Sequence, residues 1–501
     1  MAWAQVEPPQ RLPPETQREL SALLRRPELR PARVGVLVEA LGTWVPQGRP
    51  EERWTLQPYA SGAAHPVLLA RDADKAFLPA SNMKLLIGAA ALAQLGGDFR
   101  YETQVRADSG IDSQGRLDGD LFLCGGGDPS LDYQHLDDLA DQLKAQGLRE
   151  VGGVVGDGRL FPGPAWGDGW SWDDLPWYYS MEISALSLGR NQVEVIVRPA
   201  EQPGQPVQVE VRPANDYVQV INRATTVPAG GRSTLALDRP WGHFEILVFG
   251  NLPCGSKPVS QGCSVPAPAL YAATVLTAKL RERGIAVARL PRAEPVHPDS
   301  AAASPQPPRV LATVRSAPLR ELLRQLNKHS DNLYAELLLR TLGQHHGGTG
   351  TVQQGREAVI AFLRGLGLDT AALRVADGSG LSRFNLVSPR LLVGVLRAMA
   401  FHPEALAFYT SLPIAGVDGN LASRMQGTPA AGNVHAKTGY LSQVSTLSGY
   451  VTTADGHLLA VSVLTNNFTC ATSQMRDLQD QIFIRLAACR LGRPSRPQGR
   501  V

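Results

Sequence analysis

Ser81 and Lys84 stand three residues apart in the string Leu78-Pro79-Ala80-Ser81-Asn82-Met83-Lys84, just ahead of an apolar run reaching Leu95. At a helix start this spacing puts both side chains on one face, with Cβ atoms ~5–6 Å apart. A serine hydroxyl is a poor nucleophile until a neighbouring base takes its proton. Lys84 can be that base only as the free amine, well below the reference pKa of ~10.4. Burial would depress it, and so would a second cation such as Lys437. Backbone N–H groups and the positive dipole end at a helix N-terminus would suit a developing oxyanion. By themselves, these residues read more readily as the first turn of an ordinary helix with a charged lysine.

Two further strings change that balance. Ser330-Asp331-Asn332 lies between two helical patterns, where Ser330 can relay a proton to a leaving amine and Asn332 can hydrogen-bond a substrate amide. The same three residues also read as the N-cap cluster of the following helix, and both readings can hold. Lys437-Thr438-Gly439 follows the turn Ala431-Gly432-Asn433 and leads into a strand pattern. A lysine beside a threonine hydroxyl suits a terminal carboxylate, Gly439 allows close approach of substrate backbone, and the strand can align an extended peptide. Each string alone is weak; the ordered set describes one serine acyl-transfer site.

Bulk properties narrow the function classes. The 501 residues suggest two to four domains, and 43% hydrophobic with 19% charged residues is ordinary for a folded protein. A net charge of +3, with arginines scattered and not interleaved with aromatics, gives no case for nucleic acid. There are seven lysines, at 75, 84, 144, 257, 279, 328 and 437, so Lys84 and Lys437 stand out in a chain that otherwise uses arginine. Arginine stays charged and cannot accept a proton near neutral pH. No C-x-x-C or H-E-x-x-H spacing occurs and His345-His346 stands in a Gly-rich stretch, so neither a metal nor another cofactor is expected. Cys254 and Cys263 flank a Gly/Pro/Ser loop and could form a disulfide or remain thiols, while Cys124, Cys470 and Cys489 read as small core residues. Asp377-Gly378-Ser379-Gly380 and Gly125–Gly127 lack the Gly-Lys-Ser/Thr of a phosphate loop and are expected to shape turns near the cleft. No apolar run is long enough to span a membrane, which leaves peripheral association open. Ala2-Trp3-Ala4 before Gln5 resembles the tail of a signal-peptide cleavage site. The expectation is an export signal upstream of this start; a chance pair of alanines is the alternative.

The elements that must position these residues follow from periodicity. Helices are predicted at residues 14–26, 81–95, 131–147, 268–284, 319–328, 332–342, 355–365, 389–401 and 473–491. Strands are predicted at 34–40, 67–71, 102–107, 119–124, 192–199, 207–211, 233–237, 244–250, 447–453 and 458–465. Residues 301–309 read as a connector, and an Arg/Pro tail closes the chain. The fold class is thus α/β and multi-domain: a discontinuous catalytic domain of residues 14–100 and 306–495, interrupted by a β-rich block of two subdomains at 101–305.

The S-x-x-K, S-D-N and K-T-G strings are the motif set of penicillin-binding proteins and class A β-lactamases. With Gly125-Gly126-Gly127-Asp128-Pro129, Trp172-Asp173-Asp174-Leu175, Ser330-Asp331-Asn332-Leu333-Tyr334-Ala335-Glu336, Asp377-Gly378-Ser379-Gly380-Leu381-Ser382-Arg383 and Ala415-Gly416-Val417-Asp418-Gly419, the chain resembles the D-alanyl-D-alanine carboxypeptidase/endopeptidase family, the low-molecular-mass class C penicillin-binding proteins. The resemblance runs from about residue 30 to 490. It implies a transpeptidase-like domain of the penicillin-binding-protein/β-lactamase type with the β-rich block inserted between the first and second motifs. It further implies Ser81 as nucleophile, Lys84 as base and Ser330 as proton shuttle. Asn332, Lys437, Thr438 and Gly439 would bind substrate, with backbone N–H groups of Ser81 and Tyr440 as the oxyanion hole. The implied enzyme is a periplasmic or extracellular serine DD-peptidase acting on peptidoglycan stem peptides and acylated by β-lactam antibiotics. Rivals are a β-lactamase or esterase of the same fold, or a non-catalytic wall-binding protein. Tyr440 departs from the small hydroxyl residue usual after the third motif, which bears on preference for a terminal D-alanine.

Overall fold

The longest strand, Arg33–Trp44, is an almost unbroken apolar run, and from Val34 to Gly42 it is buried. A strand of that kind must be covered on both faces. In the computed structural model it lies within a six-stranded antiparallel sheet. From one edge the order is His435–Leu441, Val444–Thr452, His457–Asn466, Arg33–Trp44, the last also pairing with Leu56–Pro58 and Val67–Arg71. The structure describes residues 8–44, 56–59, 65–215, 217–240, 242–296 and 307–492. The possible cleavage-site residues 2–4, the connector at 301–306 and the Arg/Pro tail from 493 lie outside them.

The chain divides into two units: one of residues 1–99, 318–342 and 355–501, the other of residues 100–317 and 343–354. In the first, one face of the sheet packs on helices Pro14–Leu23 and Thr472–Ala488 through Leu20, Leu23, Leu478, Ile482 and Phe483. Helix Pro389–Ala400 packs on the same sheet, and its Leu396 carbonyl accepts the buried Tyr450 hydroxyl at 2.6 Å. The helix Met83–Leu95 is apolar all round and buried from Met83 to Leu92, as a core helix should be.

The second unit holds a mixed six-stranded sheet whose central strands are Glu102–Ala107, Arg116–Cys124 and Glu150–Asp157. Helices Tyr133–Ala145 and Pro268–Glu282 share its core. Two three-stranded sheets accompany it, one centred on Gln192–Arg198 and one on Glu245–Pro253.

Several expectations need correction. The S-x-x-K helix starts at Met83; Ser81 lies on a 3-10 turn, Ala80–Asn82, because Ala80 takes φ +46° and breaks the helical run. His345 and His346 belong to the last turn of a helix that continues to Gly347. Cys470, read as a core residue, is half-buried at the margin of the sheet's core, and all five cysteines are free thiols, one of the two alternatives left open for Cys254 and Cys263. Strands Glu150–Asp157, Gln219–Val227, Val259–Ser264 and Arg309–Arg315 and helix Ala405–Ser411 were not predicted. Glu150–Asp157 hides because its glycines imitate a turn. Gly156 is there for contact: a Cβ on it would sit 2.0 Å from the Ala269 carbonyl oxygen.

Gly35 is a second close approach, in the central strand of the first unit. A Cβ there would meet Phe77 Cε2 at 2.5 Å and Pro389 Cγ at 2.9 Å. Overpacking of this kind costs ~1–3 kcal/mol. Gly35→Ala should lower the melting temperature by several degrees in calorimetry, and an unchanged melt would contradict this packing.

Candidate active site

The serine turn is fixed to the sheet before any catalytic group is considered. The Leu78 N–H donates to Asn466 Oδ1 at 2.7 Å, and Asn466 Nδ2 donates back to the Leu78 carbonyl at 3.1 Å. Thr446 Oγ1 donates to the Pro79 carbonyl at 2.8 Å, and Asn82 Nδ2 donates to the Lys437 carbonyl at 2.9 Å. The first and third motifs therefore come together through a side-chain-to-backbone hydrogen bond, Asn82 to Lys437. Two glycines permit the approach. A Cβ on Gly439 would lie 2.8 Å from the Pro79 carbonyl and 3.0 Å from the Ser81 nitrogen. One on Gly380, where φ is +85°, would lie 1.9 Å from the Ala80 carbonyl.

Ser330 follows the helix Leu319–Lys328 in the left-handed region, with φ +59°, a conformation that favours glycine. The Asp331 N–H reaches back to the Leu326 carbonyl at 3.1 Å, completing a Schellman turn. This turn carries Ser330 out of the helix path and starts the next helix, Asn332–Gly347, directly afterwards. A non-glycine residue held there costs ~1–3 kcal/mol, a strain that functional sites retain.

The result is two serine–lysine pairs in one cluster. Lys84 Nζ lies 3.0 Å from Ser81 Oγ, 2.7 Å from Asn332 Oδ1 and 2.6 Å from the Ser379 carbonyl oxygen. Lys437 Nζ donates to Ser330 Oγ at 2.8 Å and to the Thr438 carbonyl at 2.9 Å. Both lysines are 0% exposed. Burial lowers Lys84 to about 8, against the opposing pull of Asp377, Glu336 and Asp331. Burial holds Lys437 well below the ordinary lysine range, and the charge of Lys84 lowers it further. Of the two causes expected, burial acts on Lys84 and a cationic Lys437 does not, while three carboxylates oppose the shift. An amine near its pKa, 3.0 Å from a hydroxyl, can take that proton near neutral pH.

Every residue expected to be catalytic or to bind substrate lies in the first unit. Ser81, Lys84, Ser330, Asn332 and Lys437 are joined by the contacts above. Thr438, Gly439 and Tyr440 follow on the same strand, His435–Leu441, with Thr438 half-buried and Tyr440 55% exposed. The guanidinium of Arg476 lies 5.7 Å from the Tyr440 ring centroid. That strand is the sheet's outer one; among the described residues its far side pairs only through His435, with Ile414. The sequence reading expected Asp377–Gly380 to shape a turn near the cleft but gave Asp377 and Glu336 no role. Asp377 accepts from the N–H groups of Gly380 (2.7 Å) and Ser382 (2.6 Å) and from Asn385 Nδ2 (2.7 Å), which ties up the 377–385 loop. Glu336, buried one turn beyond Asn332, accepts from Gly378 and Ser379. Charged residues inside an otherwise apolar helix pattern were the available signal. Gly125–Gly127 belong to the other unit, where Cβ atoms on them would strike Ala185, Glu102 and Phe161.

This fold and these paired hydroxyls and amines define a serine acyl-transfer enzyme. The chain belongs to the D-Ala-D-Ala carboxypeptidase 3 (S13) family, whose profile matches residues 57–489, and it is a serine-type hydrolase. It is 40% identical over 84% of its length to a D-alanyl-D-alanine carboxypeptidase of Actinomadura sp. (strain R39), covering 78% of that protein. It is 30% identical over 78% of its length to the D-alanyl-D-alanine carboxypeptidase DacB of Haemophilus influenzae, covering 81% of it. Among solved structures, penicillin binding protein 4 (dacB) from Haemophilus influenzae superposes with a TM-score of 0.78 at 27% identity, over 93% of this chain and 99% of that one. The same protein complexed with a β-lactam gives 0.72 at 25% identity, over 93% and 98%.

Gly380→Ala tests whether the 377–385 loop must touch the serine turn. The substitution should reduce acylation of Ser81 by a reactive ester or β-lactam about 100-fold, the scale of a 1 Å misplacement. Wild-type acylation kinetics in this variant would contradict the close approach.

Proposed function

We propose that the protein hydrolyses D-alanyl-D-alanine bonds in the peptide stems of bacterial peptidoglycan through an acyl-enzyme on Ser81. Ser81 Oγ attacks the penultimate D-alanyl carbonyl carbon while its proton passes to the free amine of Lys84. The N–H groups of Ser81 and Tyr440 receive the oxyanion. As the C–N bond breaks, the leaving amine takes a proton through Ser330, which Lys437 faces. Water then attacks the ester, Ser81 regains its proton, and the trimmed stem departs.

The observation that carries this reading is the Lys84–Ser81 contact at 3.0 Å with the lysine lowered to about 8. The outer strand supports an extended peptide substrate, since an unpaired strand edge offers main-chain hydrogen bonds. Thr438 is suited to the terminal carboxylate and Asn332 to the stem amide. With no small hydroxyl at position 440, the carboxylate contact rests on Thr438, and we place carboxypeptidase and endopeptidase cleavage together in this site. β-Lactams would acylate Ser81 as substrate mimics, in keeping with the complex of the Haemophilus influenzae relative. The substrate's location argues for a periplasmic or extracellular enzyme, one able to associate peripherally with the membrane. Against a β-lactamase reading, two of the carboxylates nearest Lys84, Glu336 and Asp377, are engaged by backbone N–H groups rather than directed at a deacylating water.

Purified enzyme incubated with muropeptides should release D-alanine and convert cross-linked dimers to monomers, read by mass spectrometry, and Ser81→Ala should abolish both. Because the base must be neutral, the rate should rise with pH and reach half its maximum near 8. Unaltered muropeptides, or a rate that falls as pH rises from 7 to 9, would overturn the proposal.

A further inference from the structure

Lys84 Nζ has three polar neighbours, and two can only accept. Asn332 Oδ1 at 2.7 Å and the Ser379 carbonyl oxygen at 2.6 Å have no hydrogen to give. A neutral amine carries two hydrogens and one lone pair. With a hydrogen directed at each acceptor, the lone pair is left on the side of Ser81 Oγ. The direction in which Lys84 accepts a proton therefore depends on where the Ser379 carbonyl is held.

Two side chains hold it: Asp377 Oδ1 accepts, at 2.7 Å, the N–H of Gly380, which shares a peptide plane with that carbonyl, and Glu336 grips the preceding amides. Glu336 Oε1 accepts the Ser379 N–H at 2.8 Å and the Gly378 N–H at 3.1 Å, and Oε2 lies 3.2 Å from the Gly378 nitrogen. Glu336 is four residues beyond Asn332, so one face of one helix supplies both acceptors to Lys84. Asn332 acts directly, Ser379 by way of the loop. Gly378 lets that loop rest on the helix, since a Cβ there would be 2.4 Å from the Ala335 carbonyl. At 1% exposure, Glu336 is shut off from solvent.

We infer that Glu336 is a positioning residue for Lys84: together with Asp377 it fixes the Ser379 carbonyl so that the lysine lone pair points at Ser81, and its charge helps the lysine keep its proton. The inference rests on the acyl-enzyme reading above. The charged groups acting on Lys84 are Asp377 from the loop and Glu336 and Asp331 from the Asn332–Gly347 helix and the residue before it, and Lys84 in turn lowers Lys437 on the outer strand. Those acting on Glu336 are Asp377 and, one turn further along its own helix, Arg340. Burial, then Asp377, raises Glu336 to about 7, while Lys84 lies at about 8. A charged Glu336 favours the protonated lysine and so opposes the effect of burial. Removing the charge must move Lys84 to lower pH.

Glu336→Gln keeps one acceptor oxygen for the two amides and removes the charge; Glu336→Ala removes both. The test is the titration of the Lys84 ε-carbon by NMR in 13C-lysine-labelled protein, where seven lysines give a tractable spectrum. It is read beside the pH profile of acylation by a chromogenic cephalosporin. In E336Q the Lys84 midpoint and the acid limb of the profile should both fall, by about one pH unit, the low end of the shift caused by one nearby charge. In E336A the alkaline plateau should drop at least about tenfold, as expected when proton transfer loses its alignment. Identical Lys84 midpoints in wild type and E336Q, or a wild-type plateau in E336A, would overturn the inference. E336Q decides alone if E336A does not fold. Should wild-type Ser81 resist acylation altogether, the acyl-enzyme reading and the orienting role fall with it, while the NMR midpoints still judge the role of the charge.

Discussion

Two ammonium groups buried in one pocket are the constraint around which the rest of the first unit is arranged. An isolated buried ammonium is expensive, and lysine responds by losing its proton. Lys84 and Lys437 are both fully buried, so the pocket must provide hydrogen-bond acceptors and nearby negative charge or else let protons go. It does some of each. Carbonyl oxygens of Ser379 and Thr438, the amide oxygen of Asn332 and two serine hydroxyls surround the amines, while Asp377, Glu336 and Asp331 supply the charge. The balance leaves Lys84 near neutrality at the pH where a serine needs a base.

That balance explains features that have no purpose in a chain built for stability alone. Ala80 and Ser330 both adopt positive φ without being glycine. Gly380 and Gly439 bring two separate strands of backbone onto the serine turn at distances a methyl group would forbid. Strain and close approach are tolerated because the sheet, through Asn466 and Thr446, determines where the turn lies. Stability and reactivity thus reside in different parts of the same unit: the apolar sheet and helices on one hand, the polar loops over the outer strand on the other.

Much of the site was legible in the sequence, since its reactive residues come in short strings whose chemistry depends on local spacing. Ser81 with Lys84 and Lys437 with Thr438 could be read this way, and strand 67–71 and helix 319–328 were placed by periodicity alone. The supporting residues were not legible. Glu336 sits in a helix pattern where a glutamate usually faces solvent, and only the tertiary fold turns it inward onto Gly378 and Ser379. Burial was expected to depress Lys84, but the opposing carboxylates Asp377, Glu336 and Asp331 were not, because they meet the amine only in the assembled pocket. Strand Glu150–Asp157 escaped because glycines chosen for tight packing look like turn residues.

The central claim is that a buried, near-neutral Lys84 activates Ser81. It is tested most directly by reacting the protein with a labelled penicillin and mapping the adduct by peptide mass spectrometry, in wild type and in Lys84→Arg. The account predicts a single acyl group on Ser81, and its loss by about a thousandfold in rate when a permanent cation replaces the base. An adduct on another residue, or undiminished labelling with arginine at position 84, would contradict it.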